Sequence, residues 1–319
     1  MGCLMLRQLL CCAALRRGLA QGDAYARRMQ PRYHVAPERN WLNDPNGLAQ
    51  VDGVYHVFFQ HNERAPTWGN IVWGHATSTD LARWTREPPI LRDPPPYEAG
   101  GAWSGSLARV GGRLAALYTC VDGARANRQC AAFPEDATLT RWVRAVENPV
   151  VAAPPPGVPG SLFRDPTEAF AWRGRTYAGV GASLDGRGAV LLYEAASATN
   201  WTYAGPLWRA PPPPPGCRGW TDGPRCASMM VECPDLFALG GDRYALKASL
   251  GGRLRRDVVL VGTMSGDPPA FAPGGAAPRA AAAASGPRPT PRRTPNSGRA
   301  STAAAPTRRR VSRTTAAGA

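Results

Sequence analysis

Three acidic residues open three similar stretches of the chain: Asp44 in WLNDPNGLAQVDGVYHVFFQ, Asp165 in FRDPTEAFAWRGRTYAGVG and Glu232 in VECPDLFALGGDRYALKAS. A run of alternating apolar residues and a glycine turn (Gly53, Gly174, Gly241) follow each acid. An aromatic residue then starts the return (Tyr55, Tyr177, Tyr244), 11, 12 and 12 residues beyond the acid. A fourth stretch, WSGSLARVGGRLAALYT, turns at Gly112 and puts Ser104 near the acid's place. Two carboxylates suffice to cleave a glycosidic bond: one protonates the leaving oxygen, the other attacks the anomeric carbon or activates water. A third acid near the ring hydroxyls orients the sugar and supports the oxocarbenium-like transition state.

The acids meet only if their stretches are copies of one structural unit. Consecutive turns lie 59, 62 and 67 residues apart. A hairpin-built repeat of that period reads as one propeller blade per copy, with the innermost strands around a shared axis. The segments between agree: VYHVFFQH, IVWGHAT, LAALYTC, TYAGVGA, AVLLYEA, YALKASL and VVLVGTM are short, β-branched or aromatic, and bounded by Gly, Pro or Asp. Tryptophans in DLARWTREPPIL and SATNWTYAGPLW mark outer strands. Proline clusters at 94–96, 154–156 and 211–215 mark connections between blades, where missing N–H groups do no harm. The expected class is all-β.

Each acid also has a plainer reading. Asn-Asp-Pro-Asn-Gly is a strong turn sequence, and Asp165 before Pro166 reads as a turn as well. Glu232 stands among apolar neighbours with no evident partner, a setting in which a carboxylic acid keeps its proton and can serve as a general acid.

The formal charge of +15 belongs to the ends of the chain. Residues 1–32 carry six Arg and one Asp, and residues 271–319 carry nine Arg and no acid, which leaves 23 basic and 22 acidic side chains between them. A nearly neutral body without the aromatic and glycine pattern of a nucleic-acid module argues against nucleic acid as partner. No apolar run reaches the length of a membrane span. Residues 1–32 read as a leader, a weak secretory signal or a disordered segment; the Met-Gly start lacks the Ser or Thr that myristoylation expects at position 6. Residues 272–319, almost wholly Ala, Pro, Arg, Gly, Ser and Thr, read as a disordered tail, and 33–271 as the propeller. The five body cysteines include no CxxC pair and the four histidines show no ligand spacing, so neither a metal nor another cofactor is expected. A Cys217–Cys226 disulfide is compatible with the spacing but not required by it. Cys233 is either a reactive thiol or a buried apolar cysteine that shapes the neighbouring glutamate.

WLNDPNG, FRDP and the Glu-Cys of VECPD resemble the signature segments of glycoside hydrolase family 32, the invertase-type family of fructan-cleaving enzymes. HVFFQHNE, TWGNIVWGHATSTDLARW, WSGS and YALKASL resemble its other segments in the expected order. The resemblance covers roughly Tyr33 to Phe271. It implies a five-bladed propeller followed by a β-sandwich, retention of anomeric configuration, a sucrose or fructan substrate, and a secreted or vacuolar location. By the same resemblance Asp44 is the nucleophile, Glu232 the acid/base and Asp165 the transition-state stabiliser. Asn43, Gln60, Trp68, Trp103, Ser104 and Arg164 would line the fructose pocket. The sequence departs from the family in one large respect: it shows four blade starts, then low-complexity sequence, and no β-sandwich. A truncated paralogue is one reading; the other is a coding sequence mis-assigned near residue 272 in a GC-rich source, in keeping with one lysine, Lys247, against 37 arginines. Two further readings stay open, a non-catalytic sugar-binding propeller and a five-bladed inverting enzyme acting on pentose polymers; the Asn-Asp-Pro-Asn-Gly and Glu-Cys contexts favour the fructosidase.

Overall fold

The computed structural model describes residue 28 and residues 33–218, 226, 229–250 and 256–274. The expected leader, apart from residue 28, and the expected tail beyond residue 274 lie outside the described residues.

Four antiparallel sheets follow one another along the chain. The first holds β1 (Trp41–Val51), β2 (Val54–Asn62), β3 (Val72–Ser78) and β4 (Thr85–Ile90), in that order. The second repeats the meander with β5 (Gly101–Val110), β6 (Arg113–Val121), β7 (Asn127–Pro134) and β8 (Trp142–Arg144). In the third, the inner strand is split into β9 (Phe163–Pro166) and β10 (Phe170–Trp172), both paired to β11 (Arg175–Leu184), with β12 (Arg187–Ser197) and β13 (Asn200–Arg209) outside them. The fourth holds β14 (Val231–Gly240), β15 (Arg243–Leu250), β16 (Arg256–Gly266) and β17 (Pro269–Pro273). These are four blades of a propeller, each opening at one of the four repeats, with β1, β5, β9 and β14 meeting in sequence on the inside. The family resemblance implies five blades; four are seen among the described residues. A single 3-10 turn, Pro96–Glu98, lies in the first of the proline-rich connections.

The cores are layers between blades. Phe58 and Trp73 of the first blade pack on Leu107 and Tyr118 of the second, all within 3 % of full burial. Leu117, Ala131 and Phe133 meet Ala195 and Trp201 across the next junction. Tyr177, Leu192 and Leu207 meet Leu246, Leu260 and Phe271 across the third. Each large apolar side chain so buried stabilises the stack by roughly 2 kcal/mol. The alternation that fills these layers is the period-two pattern of the sequence, read on both faces where a blade lies between two others. The far face of the fourth blade is uncovered by any described residue, and Phe237, Leu239, Val259 and Val261 are each exposed.

Two glycines set the spacing at the inner end. A Cβ on Gly105 would fall 2.0 Å from the Leu117 carbonyl oxygen, so β5 and β6 close only around a glycine here. Gly47 has φ of +50°, and a Cβ on it would lie 2.9 Å from the Leu107 side chain where β1 packs on β5.

Glu98 is a buried charge within this frame. It accepts hydrogen bonds from the Tyr118 hydroxyl at 2.8 Å and from Arg144 Nη2 at 2.6 Å, which ties the connection into the second blade. A disulfide joins Cys120 on β6 to Cys130 on β7, a pair not singled out by spacing, and a second joins Cys217 to Cys226 in the connection before β14.

Candidate active site

At the start of every innermost strand the ladder slips. The register of β1 on β2 breaks between Asn43 and Pro45, around Asp44. That of β5 on β6 breaks between Ala102 and Gly105, around Trp103 and Ser104. β9 leaves Asp165 unpaired between Arg164 and Pro166, and β14 leaves Cys233 and Pro234 unpaired between Glu232 and Asp235. A bulge re-aims the side chain it carries and locally raises the twist. Four bulges at equivalent places turn four sets of side chains toward the axis.

Proline explains the bulges on three of the strands. Asp44, Asp165 and Cys233 each precede a proline, which offers no N–H to the ladder, and take φ values of 33°, 66° and 44°. The backbone therefore aligns Cys233, not Glu232, with the two aspartates. The acid repeat read from the sequence is off by one residue in the fourth blade: Glu232 corresponds to Asn43 and Arg164.

These side chains line one cavity of about 860 Å³. Asp44 Oδ2 accepts from the Ser104 hydroxyl at 2.7 Å and from Gln60 Nε2 at 3.4 Å. Gln60 Nε2 also donates to Ser104 Oγ at 2.5 Å, and its Oε1 accepts from Trp68 Nε1 at 3.2 Å. Asn43 Oδ1 accepts from Trp41 Nε1 at 2.6 Å. Trp68 and Trp103 stand edge to face at 5.2 Å on the cavity wall. Of the nine residues expected at the pocket, eight line the cavity, and Ser104 supports Asp44.

Glu232 is not an isolated acid in an apolar run. Its Oε1 accepts from Arg164 Nη2 at 2.7 Å and Nε at 3.0 Å, and its side chain is 29 % exposed to the cavity. The partner comes from a strand 68 residues earlier, which no local pattern shows. Arg164 is anchored in turn to the Ser161 carbonyl at 2.9 Å. Burial works against its charge, but Glu232 and Asp165 more than offset that and hold it firmly protonated.

Asp165 is the most enclosed of the three acids. Burial pushes its carboxyl up to about 6; Glu232 and Asp44 push the same way, and Arg164 and the Cys233 N–H oppose them. Its own N–H donates to Thr119 Oγ1 at 2.8 Å, and its Oδ2 accepts from the Cys233 N–H at 2.9 Å. The Cys233 thiol lies 3.6 Å from Asp165 Oδ2 and 3.9 Å from Asp44 Oδ2. Burial, with those two carboxylates, raises this thiol well above its usual range, so it sits between them as a neutral donor rather than a nucleophile. It faces the aspartates rather than the glutamate expected from the sequence.

Sequence reading missed Arg125, Ser249 and Asp257 on the cavity wall. Arg125 stands 5.6 Å and 5.8 Å from the centres of the Trp68 and Trp103 rings. It belongs to a turn between β6 and β7, outside any repeated motif.

Fold and cavity together define a propeller whose inner bulges gather carboxylates under tryptophans, an arrangement suited to a sugar ring. Residues 34–279 match the Glycosyl hydrolases family 32 N-terminal domain, and the chain belongs to that family. It is 35% identical over 284 residues to an insoluble β-fructofuranosidase, isoenzyme 7, of Oryza sativa subsp. indica, covering 82% of this chain and 45% of the rice protein. Against fructan 1-exohydrolase w1 of Triticum aestivum it is 35% identical over 255 residues, or 76% of this chain and 39% of that one. The chain thus spans less than half the length of these relatives. Among solved structures, fructan 1-exohydrolase IIa of Cichorium intybus superposes with a TM-score of 0.66 at 33% identity, over 76% of this chain and 46% of its own. A family 32 β-fructofuranosidase of Bombyx mori gives 0.65 at 26% identity, over 82% and 55%.

Proposed function

We propose that this chain carries the catalytic site of a retaining β-fructofuranosidase, which hydrolyses terminal β-D-fructofuranosyl residues of sucrose or fructans. The observation that carries this reading is the convergence of Asp44, Asp165 and Glu232 on one cavity by three bulged inner strands. Family membership and the activities named for the rice, wheat, chicory and silkworm relatives support it.

In this mechanism Asp44 attacks the anomeric carbon of the fructosyl unit while Glu232 gives its proton to the departing glycosidic oxygen. Glu232 then takes a proton from the water that releases fructose from Asp44, and the stereochemistry is retained. The hydrogen bonds from Ser104 and Gln60 hold Asp44 in the attacking orientation. Arg164 keeps Glu232 over the cavity. Asp165, the most enclosed of the three, serves the ring hydroxyls and the positive charge that develops on the sugar. Trp68 and Trp103 offer apolar faces to the ring.

The preferred substrate is sucrose or a short fructan, in line with the relatives solved with 1-kestose and with sucrose. Two disulfides accord with an oxidising, secreted or vacuolar location. The test is to join residues 1–274 to the C-terminal half of the rice relative and follow sucrose cleavage by proton NMR. β-Fructofuranose as the first-formed anomer is the expected result; the α anomer first would mean inversion and overturn the reading.

A further inference from the structure

The chain contains a single lysine among 38 basic side chains. That lysine, Lys247, lies on β15 against the inner end of β14, opposite Asp235 and beside Val259 of β16. Its ammonium donates to the Cys233 carbonyl at 3.1 Å and to Ser249 Oγ at 3.2 Å, and lies 3.7 Å from Asp257 Oδ1. Ser249 in turn donates to Asp257 Oδ1 at 2.6 Å. The side chain is 24 % exposed, so most of it is packed away.

The Cys233 carbonyl belongs to the bulge. Cys233 and Pro234 fall outside the β14–β15 register, and the Lys247 ammonium is the side-chain donor that reaches this oxygen. The backbone there is left-handed, with φ of 44°, on a residue with a Cβ and before a proline, a combination that local preferences disfavour. Everything else Cys233 presents is aimed at the carboxylates: its N–H at Asp165 and its thiol at both aspartates.

We propose that Lys247 is a positioning residue that clamps the Cys233 bulge, so that its N–H and thiol stay on Asp165 and Asp44. Three tetrahedral donors on a compact cation reach a carbonyl, a hydroxyl and a carboxylate at once, whereas the longer planar guanidinium of arginine cannot fill the same space. In a chain that uses arginine everywhere else, this is the position where the exchange costs most. The proposal deepens the fructosidase reading and rests on it for its kinetic consequence alone.

Alkylation of Cys233 by iodoacetamide, followed by peptide mapping in the full 319-residue chain, tests the clamp without requiring activity. Lys247→Arg keeps the charge and removes the geometry, and it is expected to speed Cys233 alkylation at least tenfold over the native chain. Leu246→Ala, a cavity in the neighbouring core between the third and fourth blades, controls for general loosening and is expected to speed it far less. A Lys247→Arg rate within twofold of native, or no faster than that of Leu246→Ala, overturns the proposal. Should Lys247→Arg fail to fold, Ser249→Ala removes the ammonium's second anchor and is expected to give a smaller acceleration of the same peptide; none would overturn it. Where sucrose is cleaved, Lys247→Arg lowers kcat about tenfold with KM within twofold, and an unchanged kcat overturns the claim. Loss of hydrolysis in every form of residues 1–274 joined to the C-terminal half of the rice relative, the unsubstituted one included, with the alkylation difference intact, refutes the fructosidase reading and leaves the clamp standing.

Discussion

Cys233 stands in the fourth blade where Asp165 stands in the third, and the N–H of the one donates to the carboxylate of the other at 2.9 Å. Both precede proline, both are left-handed, and both interrupt their ladders. The site is therefore built from a repeated backbone device whose side chains have diverged: a carboxylate in two blades and a thiol in another.

Enclosure of Asp165 makes stability depend on pH with a definite sign. Its carboxyl titrates at about 6 in the fold against an ordinary value of 3.8, so between those values the folded state keeps a proton the unfolded state has lost. Stability from this group falls as pH rises from 3.8 to 6 and is level above, a change of about 3 kcal/mol. His75, held down to about 3 by burial, acts in the opposite sense below its ordinary 6.5. It is common to both proteins and cancels in a comparison. Asp165→Asn should gain about 3 kcal/mol relative to the native chain between pH 4 and pH 7 in urea unfolding. A flat difference would contradict the burial argument.

Asp44 depends on a chain of donors. Ser104→Ala removes the 2.7 Å hydrogen bond to its carboxylate and should lower kcat about tenfold, with thermal stability nearly unchanged. Gln60→Ala should act through the same hydroxyl. The double variant is expected to lose less than the two singles combined, because contacting residues couple. Strict additivity in the three sets of kinetics would show that the two act separately.

Repeats, turns and blade connections were legible because they are local: glycine turns, alternating apolar residues and proline clusters each carry their own signal. The three acids were found by the same means, but Glu232 was aligned one residue away from its structural place. The aligning signal in the sequence is the proline of Asp-Pro, Asp-Pro and Cys-Pro, not the acid. The ion pair from Arg164 to Glu232 and the approach of Asp257 to the cavity were not legible. They join strands of different blades or neighbouring strands of one blade, and nothing in chain spacing records which bulge turns which side chain inward.

Glu98 tests the frame rather than the site. Its carboxylate is fully buried and held by Arg144 and Tyr118. Glu98→Ala leaves the Arg144 guanidinium with only the Leu91 and Arg92 carbonyls and no carboxylate, and should cost roughly 3–5 kcal/mol. Thermal unfolding measures it, and a loss below about 1 kcal/mol would show that water replaces the pair.

Phe237, Leu239, Val259 and Val261 form an apolar face on the fourth blade with no cover among the described residues. Residues 1–319 expressed alone should associate through it and cleave sucrose poorly, since catalysis needs its supporting shell held to about half an ångström. Light scattering on Phe237→Ser with Val261→Thr should show much less association. A soluble native monomer with robust sucrose hydrolysis would contradict this expectation.

The most direct measurement of the central claim compares leaving groups. In residues 1–274 joined to the C-terminal half of the rice relative, Asp44→Ala and Glu232→Ala are assayed on sucrose and on an aryl β-D-fructofuranoside whose phenol departs without a proton. Asp44→Ala is predicted to abolish cleavage of both. Glu232→Ala is predicted to abolish sucrose cleavage yet keep a rapid first release of phenol, because the proton it would supply is no longer needed. Equal loss on both substrates in Glu232→Ala, or sucrose cleavage that survives Asp44→Ala, would contradict the assignment of the two carboxylates.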